Sequence, residues 1–285
     1  MILICDSGSS KADWALLSRN GVPVDMTETA GLNPMLQHAD FMTEILKKQD
    51  TLMSIRNRVE FIYYYGTGCS SSDRKLMVKE VLESVFTNAR IKVEHDLDGA
   101  VYATAGSGLS SVNILGTGSN SCLCDGYKII DQRGGQGYIL GDEAGGAWFG
   151  IRIVTDWLDG IMEGALKQHL DVQAGFDRNH ILQHVYKQPN ANVFLSSFAP
   201  LLITFKEDSY VQNLMRYGFE YFITRYLLKY PDHTNYPAHF IGSLAYYHRD
   251  ILESSLSLYG IKSGNILRKP MDGLIQYHLQ QLNKG

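Results

Sequence analysis

Residues 112–131, VNILGTGSNSCLCDGYKIID, contain the pattern that decides the fold. An apolar run ends at Leu115 and is followed by the turn Gly116-Thr117-Gly118-Ser119. A second run ends at Cys124, and Asp125-Gly126 leads into a third. Short apolar runs separated by glycine turns predict three consecutive strands joined by hairpins. Because two glycines flank a small hydroxyl residue in the first turn, its backbone N–H groups can approach an anion closely.

The N-terminus repeats this pattern. Residues 2–5 are apolar, residues 6–11 have the sequence DSGSSK, and residues 12–17 continue as a strand. Two such hairpins predict two similar lobes, each offering a loop to one polyphosphate. Strand and helix patterns alternate after each hairpin, which predicts an α/β fold with mixed sheets. We expect an N-terminal lobe at 1–110 and a C-terminal lobe at 111–285, and the last helix is a candidate to pack back on the N-terminal lobe.

The composition is that of an ordinary globular protein, with 285 residues, 45% hydrophobic and 20% charged. The formal net charge of -4 argues against nucleic acid or an acidic membrane surface as the main partner. No apolar run is long enough to span a membrane, and Asp6 and Lys11 interrupt the apolar start, so no signal peptide is predicted. Free thiols in a reducing compartment explain the four cysteines, and a cytoplasmic protein is expected.

Three aspartates stand beside glycine-rich turns. Asp6 ends a strand before its turn, Asp96 ends a strand before a helix, and Asp142 lies in a glycine-flanked loop before a helix. Ligands of open α/β sheets gather at the carboxyl ends of strands, and phosphoryl transfer needs phosphate cradles, a carboxylate for Mg²⁺ and a base. Each feature alone also has a structural interpretation, since the turns could be plain hairpins and Asp96 or Asp98 a helix cap.

Three segments together resemble the family of N-acetylglucosamine kinases and BadF/BadG-type ATPases. They are DSGSSKADW at 6–14, ILGTGSNS at 114–121 and GGQGYILGDEAGG at 134–146. Members of this family share the fold of actin, sugar kinases and heat-shock ATPases. The resemblance therefore implies two lobes of ribonuclease H-like (actin/hexokinase-type) architecture around an ATP/sugar cleft.

The resemblance also implies roles for individual residues, with ATP and Mg²⁺ as cofactors. Asp96 matches the catalytic aspartate, and Asp6 would lie near Mg²⁺, through water. The residues that match ATP- and phosphate-binding positions are Asp6, Gly8, Ser9, Ser10, Lys11, Gly116, Thr117, Gly118, Gly242 and Ser243. The residues that match sugar-binding positions are Asn33, Asp96, Ser119, Asn120, Gly135, Gln136, Gly137 and Asp142.

The chain departs from the family pattern at three places. The first loop is D-S-G-S-S-K rather than D-G-G-G-T-K, His95 stands where Asn or Thr is common, and Gln136 stands where Trp is common. The last difference leaves the sugar open. The resemblance implies ATP-dependent phosphorylation of the primary hydroxyl of N-acetylglucosamine or a related amino sugar, in a family that often forms homodimers. An ATPase activator, or a nucleotide-dependent sugar sensor without kinase turnover, is the alternative.

Overall fold

The computed structural model describes residues 1–173 and 176–282. Within these residues, ten strands form two five-stranded mixed sheets, which confirms the predicted α/β class. Contacts divide the chain into a first unit, Met1–Ala105 with the C-terminal segment from Lys269, and a second unit, Gly106–Arg268. The predicted lobes, 1–110 and 111–285, differ from these units mainly in the assignment of the last helix. None of the described helices is long and apolar enough to cross a membrane.

The first unit is built on a sheet with the strand order β3-β2-β1-β4-β5. The first three strands are antiparallel to one another, whereas β1, β4 and β5 are parallel. The strands are β1 Ile2–Ser7, β2 Lys11–Leu17, β3 Pro23–Ala30, β4 Phe61–Gly66 and β5 Arg90–His95. The helices are α1 Ala39–Lys47, α2 Asp50–Ile55, α3 Ser72–Val85, α4 Asp96–Thr104 and α13 Met271–Leu282.

Both faces of the first sheet are covered, which explains why residues 2–5 and 14–17 are apolar without alternation and buried. Trp14 and Leu46 belong to the core on one face. On the other face, Ile4 and Leu17 pack in a cluster that includes Leu274 of α13. The last helix thus completes the first unit.

The second unit repeats the same strand order as β8-β7-β6-β9-β10, with three antiparallel strands followed by two parallel ones. The strands are β6 Leu109–Leu115, β7 Ser119–Asp125, β8 Lys128–Gly134, β9 Pro237–Ile241 and β10 Lys262–Leu267. The helices are α5 Gly146–Leu158, α6 Gly164–Asp171, α7 Arg178–Tyr186, α8 Ala191–Ser196, α9 Ala199–Thr204, α10 Ser209–Arg225, α11 Ser243–Tyr247 and α12 Arg249–Leu258. Both predicted hairpins therefore open a sheet of the same topology.

Candidate active site

The carboxyl ends of the parallel strands form one edge in each unit. In the first unit, Ser7, Gly66 and His95 are aligned in register at the ends of β1, β4 and β5. Asp6 and Asp96, which the sequence predicts as site residues, therefore lie at the same edge. This is the edge at which open α/β sheets bind ligands.

Asp96 begins α4 and carries a carboxylate oxygen with no hydrogen bond. Its Oδ1 is buried, and His95 Nδ1 lies 3.1 Å away without making a hydrogen bond to it within the described residues. Asp98 has a different role, because its Oδ2 accepts a hydrogen bond of 3.2 Å from the His95 backbone N–H and caps the helix. The cap engages Asp98 and leaves Asp96 as the carboxylate that a ligand can use.

Asp6 lies among like charges. It stands opposite Asp13 across the β1–β2 pair, so that the two side chains share a face of the sheet. Burial, together with the carboxylates of Asp96 and Asp13, raises the pKa of Asp6 to about 7, and the Lys269 ammonium opposes this rise. Lys269 Nζ lies 2.9 Å from Asp13 Oδ2. Crowded carboxylates of this kind gain from a nearby cation.

Among the described residues, no three His, Cys, Asp or Glu side chains are grouped to hold a metal ion. Mg²⁺ commonly keeps several waters and binds through one or two carboxylates plus substrate phosphates. The surroundings of Asp6 fit that mode. Lys11 has carboxylate partners of its own, because its ammonium pairs with Glu28 and lies 3.7 Å from Asp13.

The first hairpin turn is fastened to the loop that carries Asn33. The Gly8 N–H donates to the Lys11 carbonyl at 2.9 Å and closes the turn, and Ser10 is exposed beside it. Buried Asn33 donates from Nδ2 to Ser9 Oγ at 3.1 Å. A Cβ at Gly31 would overlap the Gly8 carbonyl oxygen, so only glycine permits this approach. A predicted sugar residue and a predicted phosphate residue thus hold one another in place.

The second hairpin turn is supported by α5 and by the end of β9. The first amides of α5 donate to the turn, Gly146 N–H to the Gly116 carbonyl at 2.8 Å and Ala147 N–H to the Thr117 carbonyl at 2.9 Å. These bonds satisfy donors that a helix start otherwise leaves unpaired. Gly242 has φ 141°, a value open to glycine, and a Cβ there would overlap the Leu115 carbonyl oxygen. Ser243 follows as the first residue of α11.

The predicted sugar residues of the second unit surround this turn. Ser119 Oγ is buried without a hydrogen-bond partner among the described residues, and Asn120 is also buried. Asp142 has φ 59°, and a Cβ at Gly118 would lie 2.6 Å from its carboxylate carbon. The Gly135 N–H donates to the Ser119 carbonyl at 3.3 Å, and Gly137 accepts from the Gly141 N–H at 2.8 Å. Gln136 is exposed.

Sequence reasoning missed a cluster beside this loop. Glu143 is 4% exposed; its Oε1 lies 2.7 Å from Arg225 Nε, and its Oε2 accepts from the Tyr226 hydroxyl. Arg225 ends α10, far from Glu143 along the chain. The only sequence signal was the acidic pair Asp142-Glu143 within the third motif. A buried carboxylate needs a partner, but the sequence does not say which cation supplies it.

Solved structures provide the relatives to which this chain is similar. No family model matches the chain, and no curated protein matches it. Among solved structures, a "putative N-acetylglucosamine kinase" of Porphyromonas gingivalis is 35% identical with a TM-score of 0.90, covering 98% of this chain and 99% of that one. Another, of Chromobacterium violaceum, is 20% identical with a TM-score of 0.70, covering 97% and 98%. A ROK-family glucokinase of Streptomyces griseus in complex with glucose and AMPPNP is 12% identical with a TM-score of 0.54, covering 99% and 100%.

Proposed function

The chain belongs to the family of N-acetylglucosamine kinase-like proteins in the actin/hexokinase-type superfamily, and we propose that it phosphorylates the primary hydroxyl of an amino sugar with ATP. N-Acetylglucosamine is the sugar we propose first, because the relative that is 35% identical carries that name. The observation that carries the proposal is the buried, unpartnered Oδ1 of Asp96 at the carboxyl edge of the first sheet. A sugar hydroxyl supplies the donor that this oxygen lacks.

In the proposed reaction, Asp96 accepts or orients the proton of the attacking hydroxyl. The hydroxyl oxygen forms a bond to the γ-phosphorus as the bond to the ADP oxygen breaks. Backbone N–H groups of the turns at Gly8–Lys11 and Gly116–Gly118 hold the phosphates. Asp6 would hold Mg²⁺ through water, and the ion would supply positive charge to the phosphoryl oxygens. Gly242 and Ser243 contact the adenosine.

In this proposal, the polar groups around the second turn and Asn33 bind the sugar and determine which sugar is accepted. Ser119 offers a buried hydroxyl without a partner. We propose that Ser119, Asn120 and Asp142 bind sugar hydroxyls, together with the backbone at Gly135–Gly137 and Gln136. Sites built to hydrogen-bond a hydroxyl reject analogues that lack it, because buried polar groups are then left unpaired.

The test compares Asp96→Asn with Asp98→Asn, which removes a charge from the same helical turn. Asp96→Asn should lower kcat for sugar-dependent ADP formation by about 10²–10⁴-fold, the usual contribution of a general base. Its affinity for sugar, measured by calorimetry, should stay near that of the wild type. Asp98→Asn keeps an oxygen acceptor for the His95 N–H and should retain most of the activity.

Near-normal turnover in Asp96→Asn would exclude this aspartate as the base. A wild-type protein that binds sugar and nucleotide but forms no sugar phosphate would instead act as a sensor. A panel of N-acetylglucosamine, glucosamine and N-acetylmannosamine, each assayed with Mg-ATP, separates these outcomes and ranks the sugars.

A further inference from the structure

A cationic cavity lies in the second unit, beside the predicted sugar loop. Its volume is about 560 Å³, within the range of about 300–1,000 Å³ typical of small-molecule sites. It is lined by β8 with the residues that follow it and by the end of α10 with the residues that follow that helix. Three of the lining residues are cations, Arg133, Arg225 and Lys229, and none of those that the structure describes is acidic.

The three cations differ in how far they are neutralised. Arg225 pairs through Nε with Glu143, and Arg133 pairs through a terminal nitrogen with Asp131 at 3.0 Å. Lys229 has no carboxylate within ion-pair distance in the described part of the chain. Two carboxylates thus face three cations, so the cavity keeps an unmatched positive charge.

Arg133 carries, in its guanidinium, a buried donor without a partner among the described residues. Its guanidinium lies 5.2 Å from the centre of the Tyr230 ring, and its Nε is buried without a hydrogen-bond partner among the described residues. A buried charged donor without an acceptor is costly, because the hydration that it lost is not replaced. An acceptor on a bound molecule would stabilise this arrangement.

The cavity is continuous with the residues proposed to hold the sugar. Gly134 and Gln136 line it and belong to the third motif. Gln132, also in the lining, donates from Nε2 to Asn120 Oδ1 at 3.3 Å. Asn120 is one of the proposed sugar ligands, so a molecule held there has the cationic cavity next to it.

We propose that this cavity binds an anionic oxygen group, a carboxylate or a phosphate, on or beside the sugar. Guanidinium forks match both groups in geometry, and an ammonium adds a point charge. The proposal rests on the proposed function only in taking an amino sugar as the neighbouring ligand. It assigns Lys229 and Arg133 as specificity-determining residues for acidic over neutral ligands.

The test is a calorimetric binding measurement on the full chain without nucleotide, so that it does not depend on phosphoryl transfer. The probes are N-acetylglucosamine, its 3-O-lactyl ether, which differs by one added carboxylate group, and inorganic phosphate titrated in the presence of N-acetylglucosamine. The variants are Lys229→Gln, Lys229→Arg and Arg133→Gln. Lys187→Gln is the matched control, since it removes an exposed lysine of the same unit outside the cavity.

Lys229→Gln and Arg133→Gln should each weaken binding of an anionic probe about tenfold relative to the neutral sugar, the value of one charge-assisted hydrogen bond. Lys229→Arg, which keeps the positive charge, should bind the anionic probe about as tightly as the wild type. Lys187→Gln should not change the binding of either probe. A charge-dependent gain for the lactyl ether identifies the anion as part of the substrate, whereas charge-dependent phosphate binding identifies a separate anion.

The inference is overturned if the wild type binds neither the lactyl ether nor phosphate more tightly than Lys229→Gln does. It is also overturned if the cavity variants and Lys187→Gln change the binding constants equally. Circular dichroism confirms that each variant is folded. A protein that phosphorylates neutral sugars but shows no charge dependence would refute this inference alone, and one that binds anions without forming any sugar phosphate would refute the proposed function alone.

Discussion

His278 should make the first unit less stable in acid. Its ring lies on α13, is 5% exposed, and makes a hydrogen bond of 2.8 Å through Nε2 to the Tyr65 hydroxyl. The ring centre lies 4.0 Å from that of Tyr63. Burial, with a smaller effect from the Lys92 charge, lowers the pKa of His278 from 6.5 to about 4. The fold therefore favours the neutral ring.

The sign of the effect follows from proton counting. Between pH 6.5 and about pH 4 the unfolded chain binds a proton at this position and the folded chain does not. Stability is therefore complete above the unfolded pKa and is lost as pH falls towards the folded one. A difference of about 2.5 pKa units at 1.36 kcal/mol each amounts to about 3 kcal/mol.

The assay is urea unfolding at a series of pH values from about 7 to 4, the window set by the two pKa values, read by amide hydrogen exchange in β1 and α13. The double variant Tyr65→Phe/His278→Phe removes the titrating ring and the hydroxyl that would otherwise lose its partner. Its stability should fall by about 3 kcal/mol less than that of the wild type across this window. His38→Gln, which removes an exposed histidine of the same unit, is the control. Equal pH dependence in wild type and double variant would refute the reasoning.

Two further predictions concern the second unit. Gly118→Ala places a Cβ within 2.6 Å of the Asp142 carboxylate carbon, so it should lower stability by about 1–3 kcal/mol and weaken sugar binding. Gly116→Ala is the control, because its Cβ meets no atom closer than 4.0 Å, and it should leave the melting temperature almost unchanged. Equal melting temperatures for the two variants would contradict this prediction. Arg225→Met leaves buried Glu143 without its cation and should lower stability by about 2 kcal/mol in thermal unfolding. This value is smaller than that for a fully buried ion pair, because Arg225 is half exposed. Adding Glu143→Gln should recover most of the loss, and a double variant no more stable than the single one would argue against the pair.

The sequence was most informative where the local pattern and the tertiary structure agree. Both glycine hairpins lie where they were predicted, since a turn between apolar runs is decided locally. The strand Lys262–Leu267 was not predicted, because its burial is irregular and β9 supplies its parallel partner from a distance. The chain breaks between α8 and α9 just before Pro200, which stands in the first turn of α9.

The candidate site was predictable only in part. In the sequence, Asp96 and Asp98 are both candidate helix caps. The structure separates them, because it is Asp98 that accepts the hydrogen bond from the His95 backbone N–H. The partner of Lys11 could not be foreseen, because Glu28 reaches it through the β2–β3 pairing. The cationic cavity joins residues of β8 to residues after α10, and a sequence without aligned relatives gives no sign of such a long-range pair.

The place of α13 has a consequence for how the protein is made. Ile4 and Leu17 are synthesised before the second unit, yet the helix that packs against them contains Leu274, which is added only after that unit. During translation, this face of the first sheet therefore lacks the cover of α13, and has only that of α4, while the second unit forms. Exposed apolar strands in such intermediates are prone to aggregation. A nascent chain stalled before Lys269 should engage chaperones more strongly than one that includes α13.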